Sequence, residues 1–270
     1  MTQPRSQLVD PTQAGTFHCV NRCVRRSWLC GLDKYLGKSF EHRKSWVEAR
    51  IIELGQIFAC GVHAWAVMSN HLHIVVHMSP ATANDWSAEE VAARWIRLYP
   101  ARDAELCAQK IASILESPEI VAEYRSRLAN LSWLMKSQSE PIARKANTED
   151  KVTGRFWEGR FACQALLSEK SILAAMTYVD LNPVRAKIAS NITTSRYTSI
   201  KLRNQQLRKN PERANQPLIP LIGARSFNLP GISLADYVEL VDFTGRAYSG
   251  QEKPPFRTMR SQQKLAEQTC

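Results

Sequence analysis

The stretch Ala64–Met78, AWAVMSNHLHIVVHM, decides the fold. Two apolar runs rich in Val, Ile and Trp, the first beginning near Gln56, flank the polar pair Ser69 and Asn70. Such a break predicts two strands joined by a tight turn. In the second strand side chains alternate, so Leu72, Ile74 and Val76 face one way while His71, His73, Val75 and His77 face the other. One face is apolar and the other carries a row of imidazoles.

Upstream, Gly15–Cys23 (GTFHCVNRC) reads as a first strand, and Asp33–Ile52 reads as a helix on the spacing of Leu36, Phe40, Val47 and Ile51, continued by Leu54. Downstream, residues 80–130 read as a mostly helical, peripheral insertion. Leu131–Ala146 predicts a helix that Pro141 kinks or shortens. Arg155–Leu167 predicts another strand. Ser168 then caps a helix, SEKSILAAMTYVDLNP, which Pro183 should end near Asn182. After Ala189 the pattern fades into polar residues, with one more helical run, LADYVELVDFTGRAY, and a basic tail. The order strand, helix, strand, strand, insertion, helix, strand, helix is that of a ferredoxin-like α+β layer: an antiparallel sheet with helices on one face and the other face free. Residues 1–190 form the main domain on this reading, and 191–270 a basic C-terminal extension.

With 270 residues, 44% of them hydrophobic, the chain can bury a core without a disulfide scaffold. Its seven cysteines are odd in number and lack paired metal spacing, so buried reduced thiols are expected rather than a zinc site. Met1–Asp10 lacks the apolar core of a signal peptide, and no run approaches ~18 apolar residues. The expectation is a cytoplasmic protein without a membrane span. The net charge of +11 favours an anionic partner, nucleic acid or a membrane surface, and charge alone does not choose. Residues 81–130 carry 8 acidic and 6 basic side chains, so the basic surface is expected outside them.

His71 and His73, two apart on a strand, project from one face and can share a metal ion. With six histidines in the chain, an H-x-H pair is by itself a weak signal. His77 lies too far along the strand to join them and reads as a partly exposed sheet residue. A catalytic ion needs a third protein ligand and an open position. Asn182 can supply an oxygen, and it lies four residues after Tyr178, on nearly the same helical face. Taken alone, a helical tyrosine is more often a packing residue.

Three runs in this order, AWAVMSNHLHIVVHM, GRFWEGRF (154–161) and YVDLNPVRAKI (178–188), resemble the single-tyrosine HUH transposases, most closely the REP-associated tyrosine transposases of bacterial chromosomes. The resemblance covers Gly15 to Ala189 apart from the insertion. It implies the HUH nuclease fold, with His71, His73 and Asn182 holding Mg²⁺ or Mn²⁺ and Tyr178 as the nucleophile. It also implies that DNA, single-stranded beside a hairpin, is nicked and transferred through a 5′-phosphotyrosine. The long insertion and the C-terminal extension depart from the family's pattern.

Tyrosine side chains ionise near pH ~10, so attack on phosphorus needs assistance, which a metal gives by drawing on a non-bridging phosphate oxygen. Arg155, Trp157, Arg160 and Phe161 are candidates to clasp phosphates and stack on bases, with core packing the equal alternative for Trp157 and Phe161. Arg22, Arg25, Arg26, Arg185 and Lys187 are further phosphate candidates, each against the reading of a solvated surface charge. Two rival functions stand beside strand transfer. One is a hairpin-binding regulator with little or no catalysis, and the other a metal-dependent hydrolase in which water attacks and Tyr178 is structural. Monomer and dimer remain equally open.

Overall fold

The computed structural model describes residues 10–24, 30–33, 37–225 and 227–249. The hairpin expected from Ala64–Met78 is the centre of the sheet. Strands Cys60–Val67 and His71–Met78 pair antiparallel, and Met68 N donates to His71 O at 2.9 Å to close the turn. In chain order the elements are β1 (Gly15–Arg22), a small ribbon of β2 (Leu32–Asp33) and β3 (Lys38–Ser39), α1 (Arg43–Ile57), β4 (Cys60–Val67) and β5 (His71–Met78). Next come α2 (Pro80–Asn84), α3 (Ala88–Leu98), α4 (Ala104–Leu115), α5 (Pro118–Leu128), α6 (Leu131–Asp150), β6 (Ala162–Leu166) and α7 (Glu169–Arg185). Then follow α8 (Ser199–Lys209), β7 (Pro217–Leu218), β8 (Ile222–Gly223), β9 (Leu229–Ser233) and α9 (Leu234–Ser249). The sheet order is β6-β1-β5-β4-β8, with every pairing antiparallel, so the α+β expectation holds.

Several boundaries differ from the sequence reading, each for a local reason. The helix expected over Asp33–Ile52 begins only at Arg43, because Gly37 at φ 63° turns the chain into the β2/β3 ribbon and Phe40 N bonds Gly31 O. Of the strand expected over Arg155–Leu167, only Ala162–Leu166 pairs as a strand. The preceding segment turns at Gly154, φ 102°, and is pinned by Trp157. Pro141 does not end α6, which runs on to Asp150. It sits on the exposed side, and the Ser137 carbonyl that loses its helical donor to the proline accepts instead from Arg50 Nε at 3.1 Å. Helix α7 likewise runs past Pro183 to Arg185.

Helices cover both faces of the sheet, not one. Phe17, Val62, Trp65, Leu72, Ile74 and Val76 pack with Val47, Ile51 and Leu54 of α1 and Leu134, Met135 and Ile142 of α6. Across the sheet, Ala64, Ala66 and Val75 pack with Ile172, Met176 and Val179 of α7, Ile200 of α8 and Tyr237 and Val241 of α9. The described part of the C-terminal extension is therefore built into the domain: it supplies the edge strand β8 and two helices of the second core. The 80–130 segment is helical as expected. Its Trp86, Val91, Trp95 and Leu128 are continuous with the first core. Arg94 donates to the carbonyls of Gln56 and Ile57 at 2.7 and 2.9 Å, closing the C-terminal end of α1.

Among the described residues the cysteines form no disulfide, and burial pushes the thiols of Cys30 and Cys60 up to about 12, as for inert core thiols. Among the described residues no helix is long and apolar enough to cross a membrane.

Candidate active site between the sheet and helix α7

Strand parity assembles the site's floor. On β5, His71 and His73 lie on the face opposite Leu72 and Ile74, and their rings stand 4.8 Å apart at 84°. On β1 the same alternation sends Phe17 and Cys19 into the first core and leaves His18 and Arg22 on the histidine face. The β1/β5 register pairs Arg22 with His71 and Val20 with His73, which makes His18 a diagonal neighbour of His73. His18 Nε2 lies 2.9 Å from His73 Nδ1, and the two rings stack at 5.1 Å. His71 Nδ1 is 2.6 Å from Asn70 Oδ1.

These imidazoles are held neutral. Burial pushes His71 down to about 4, with Arg22 adding to the effect. Burial again leads at His73, with His71, His18 and Arg22 contributing, and brings it to about 3. His18 is lowered by burial alone. Neutral rings keep a nitrogen lone pair available, the form in which histidine ligates metals.

Helix α7 supplies the roof. Ser168 Oγ accepts from Ser171 N at 3.2 Å and Ser171 Oγ accepts from Ser168 N at 3.1 Å, a reciprocal cap that fixes where the helix starts. Ile172, Met176 and Val179 then dock on the sheet, and that rotation leaves Tyr178 42% exposed at the cleft. Its ring stands edge-on to His73 at 5.7 Å and to His18 at 6.1 Å. The Arg185 guanidinium lies 4.7 Å over the Tyr178 ring and 5.3 Å from that of Tyr248. Asn182, one turn beyond Tyr178, is half-buried and its Nδ2 has no hydrogen-bond partner.

Between floor and roof lies a cleft of about 790 Å³, lined by His18, Arg22, His73, Arg160, Gln164 and Tyr178 among others. The structure thus brings together His71, His73, Tyr178, Arg22, Arg160 and Arg185 of the expected residues. Others stand apart. Trp157 is buried, with Nε1 donating to Ser139 O at 2.8 Å, so it is a packing residue and not a base-stacking one. Phe161 is half-buried against the first core. Arg155 and Lys187 are exposed, Lys187 just beyond the end of α7 with φ 55°, and neither lines the cleft. Arg25 and Arg26 lie outside the described residues. His77 is buried rather than partly exposed, 2.9 Å from Thr16 Oγ1 and stacked on Phe227 at 4.4 Å. His18 and Gln164 escaped the sequence reading. They face each other across the β1/β6 pairing, a register set by residues some 145 positions apart.

Both strand histidines are neutral with Nδ1 engaged, which leaves Nε2 for an ion. Among the described residues no three His, Cys, Asp or Glu side chains are grouped to hold a metal, so a third ligand would be of another residue type; Asn182 lies one turn beyond Tyr178 and does not line the cleft.

No protein-family model matches the chain. Nor does any curated protein. Among solved structures, the chain is similar to one described as the structure of a REP-associated tyrosine transposase bound to a REP hairpin. The two share 14% identity with a TM-score of 0.42, over 84% of this chain and 94% of that one. It is a likeness of fold, and the bound hairpin belongs to that protein.

Proposed function

We propose that the protein nicks and rejoins single-stranded DNA beside a hairpin, with Tyr178 as the nucleophile and His71, His73 and Asn182 as ligands of a divalent metal. One observation carries the reading: an exposed tyrosine stands edge-on to His73, one of two neighbouring neutral strand histidines, in a cleft that also presents Arg22 and Arg160. The hairpin comes from the resemblance of the three sequence runs to REP-associated tyrosine transposases.

Arg22 and Arg160 line the cleft and attract the phosphodiester. Arg185, lying over the Tyr178 ring, restrains the nucleophile's orientation. Tyr178 Oη attacks phosphorus, the bond to the 3′ oxygen breaks, and a 5′-phosphotyrosine forms. The proton lost by the phenol is balanced by the one gained at the 3′ oxygen. When bound, Mg²⁺ or Mn²⁺ supplies Lewis-acid polarisation of a non-bridging phosphate oxygen. Because the phosphotyrosine conserves the bond, attack by another 3′-hydroxyl rejoins the strand and frees Tyr178.

The test is incubation in Mn²⁺ with a hairpin oligonucleotide that carries a single-stranded flank, scored for cleavage and for joining to a second 3′ end. His71→Ala and His73→Ala should abolish cleavage while hairpin affinity stays within a few-fold, since most affinity comes from basic contacts. Equal cleavage of a fully paired duplex, or parallel loss of binding and cleavage, counts against the reading.

A further inference from the structure

We propose that His18 is a positioning residue that accepts a hydrogen bond from Nδ1–H of His73 and so fixes His73 in the tautomer whose Nε2 is bare and able to bind a metal. The proposal rests on the metal reading of His71 and His73 given above. The contact is short, 2.9 Å between His18 Nε2 and His73 Nδ1, and the stacked rings, inclined at only 24°, leave His73 little freedom to turn.

Heavy-atom positions alone do not say which ring donates. His71 Nδ1 meets the side-chain oxygen of Asn70, which only accepts, so His71 carries its proton there and keeps Nε2 bare. At the second contact, His18 as donor would put the proton of neutral His73 on Nε2 and leave no lone pair there for an ion, whereas His73 as donor puts the proton of His18 on Nδ1. Donation from His73 to His18 is the direction that leaves both strand histidines with a bare Nε2. Metal-binding histidines are commonly oriented in this way, by a partner on the other ring nitrogen.

The support is also rigid. His18 sits on a strand paired on both sides, opposite Val75 of β5 and Gln164 of β6. It is not a third ligand, since no three His, Cys, Asp or Glu side chains among the described residues group for an ion.

The first measurement is a long-range proton–nitrogen correlation spectrum of the metal-free protein with isotope-labelled histidine. His73 should appear protonated on Nδ1 in the parent and as a mixture of tautomers in His18→Ala. The second is Mn²⁺ affinity by calorimetry, which should fall roughly 10- to 100-fold in His18→Ala. His18→Gln, whose side-chain oxygen reaches the same region, should return it to within a few-fold of the parent. A parent His73 protonated on Nε2, or a folded His18→Ala protein that binds Mn²⁺ as tightly as the parent, overturns the assignment. Absence of Mn²⁺ binding by the parent contradicts the metal reading instead, and the spectrum, recorded without metal, separates the two failures.

Discussion

Tyr237 donates a 2.6 Å hydrogen bond to Asp180, the buried carboxylate two residues beyond Tyr178. The other Asp180 oxygen accepts from Ser199 Oγ at 2.5 Å and Ile200 N at 2.9 Å, so three C-terminal groups converge on the helix that bears Tyr178. Even with these donors, burial pushes Asp180 up to about 6. The C-terminal region thereby fixes the rotation of α7 and the direction in which Tyr178 points.

Tyr237→Phe should therefore lower the unfolding free energy by about 1–3 kcal/mol, the cost of leaving one buried acceptor short of a donor. Ser199 and the Ile200 amide keep the carboxylate from isolation, so the fold should persist. Urea unfolding of parent and variant measures the difference. Equal midpoints would show that Asp180 is satisfied without α9.

Acid sensitivity should be traceable to His63. Its ring is fully buried with neither nitrogen hydrogen-bonded, and burial, then Arg203 and His77, push it down to about 3. Because the folded value lies below the unfolded one near ~6.5, the unfolded chain binds the extra proton in between. The contribution is whole above ~6.5 and is lost as pH falls towards 3, at up to ~1.4 kcal/mol per pH unit. Asp180 acts oppositely: its raised value favours the folded state as pH falls from about 6 towards 3.8. Unfolding midpoints at pH 7 and pH 5 should separate less in His63→Leu than in the parent, and an unchanged separation would place the acid response elsewhere.

The 80–130 helices should prove indispensable to the fold. Trp95 is buried and stacks on Tyr124 at 4.0 Å, while Arg94 closes the end of α1. Trp95→Ala should cost about 3–5 kcal/mol, as for other large-to-small core changes. Replacing residues 81–130 by a flexible linker should leave no cooperative unfolding transition by circular dichroism. A truncated chain that unfolds cooperatively and still cleaves DNA would show that the segment is peripheral after all.

What was legible in the sequence was local. The period-two alternation around Ser69–Asn70 placed His71 and His73 on one face, and the four-residue interval placed Asn182 one turn beyond Tyr178. His18 was hidden because its place beside His73 depends on the β1/β5 register, which closes over more than fifty residues. The second helical layer was hidden because much of what holds it is polar: Ser199, bonded to Asp180, and Arg203, bonded to the His63 carbonyl, are buried in a stretch whose composition reads as a surface extension. Trp157 illustrates the converse. An aromatic between arginines suggests nucleic acid, yet the indole is spent on the Ser139 carbonyl and the core.

The central claim is that Tyr178 becomes covalently joined to DNA, and the most direct measurement is of that bond. The protein is incubated with Mn²⁺ and a hairpin oligonucleotide with a single-stranded flank, denatured, digested and analysed by mass spectrometry. With Tyr178 as the nucleophile, a denaturation-resistant adduct should form in which the 5′ phosphate of the cut strand is carried by the peptide containing Tyr178. Tyr178→Phe, which removes only the hydroxyl of a 42% exposed side chain, should keep fold and hairpin affinity and form no adduct. Cleavage by the Phe variant at the parent's rate, with no protein-bound DNA in either, would contradict the account and make water the nucleophile.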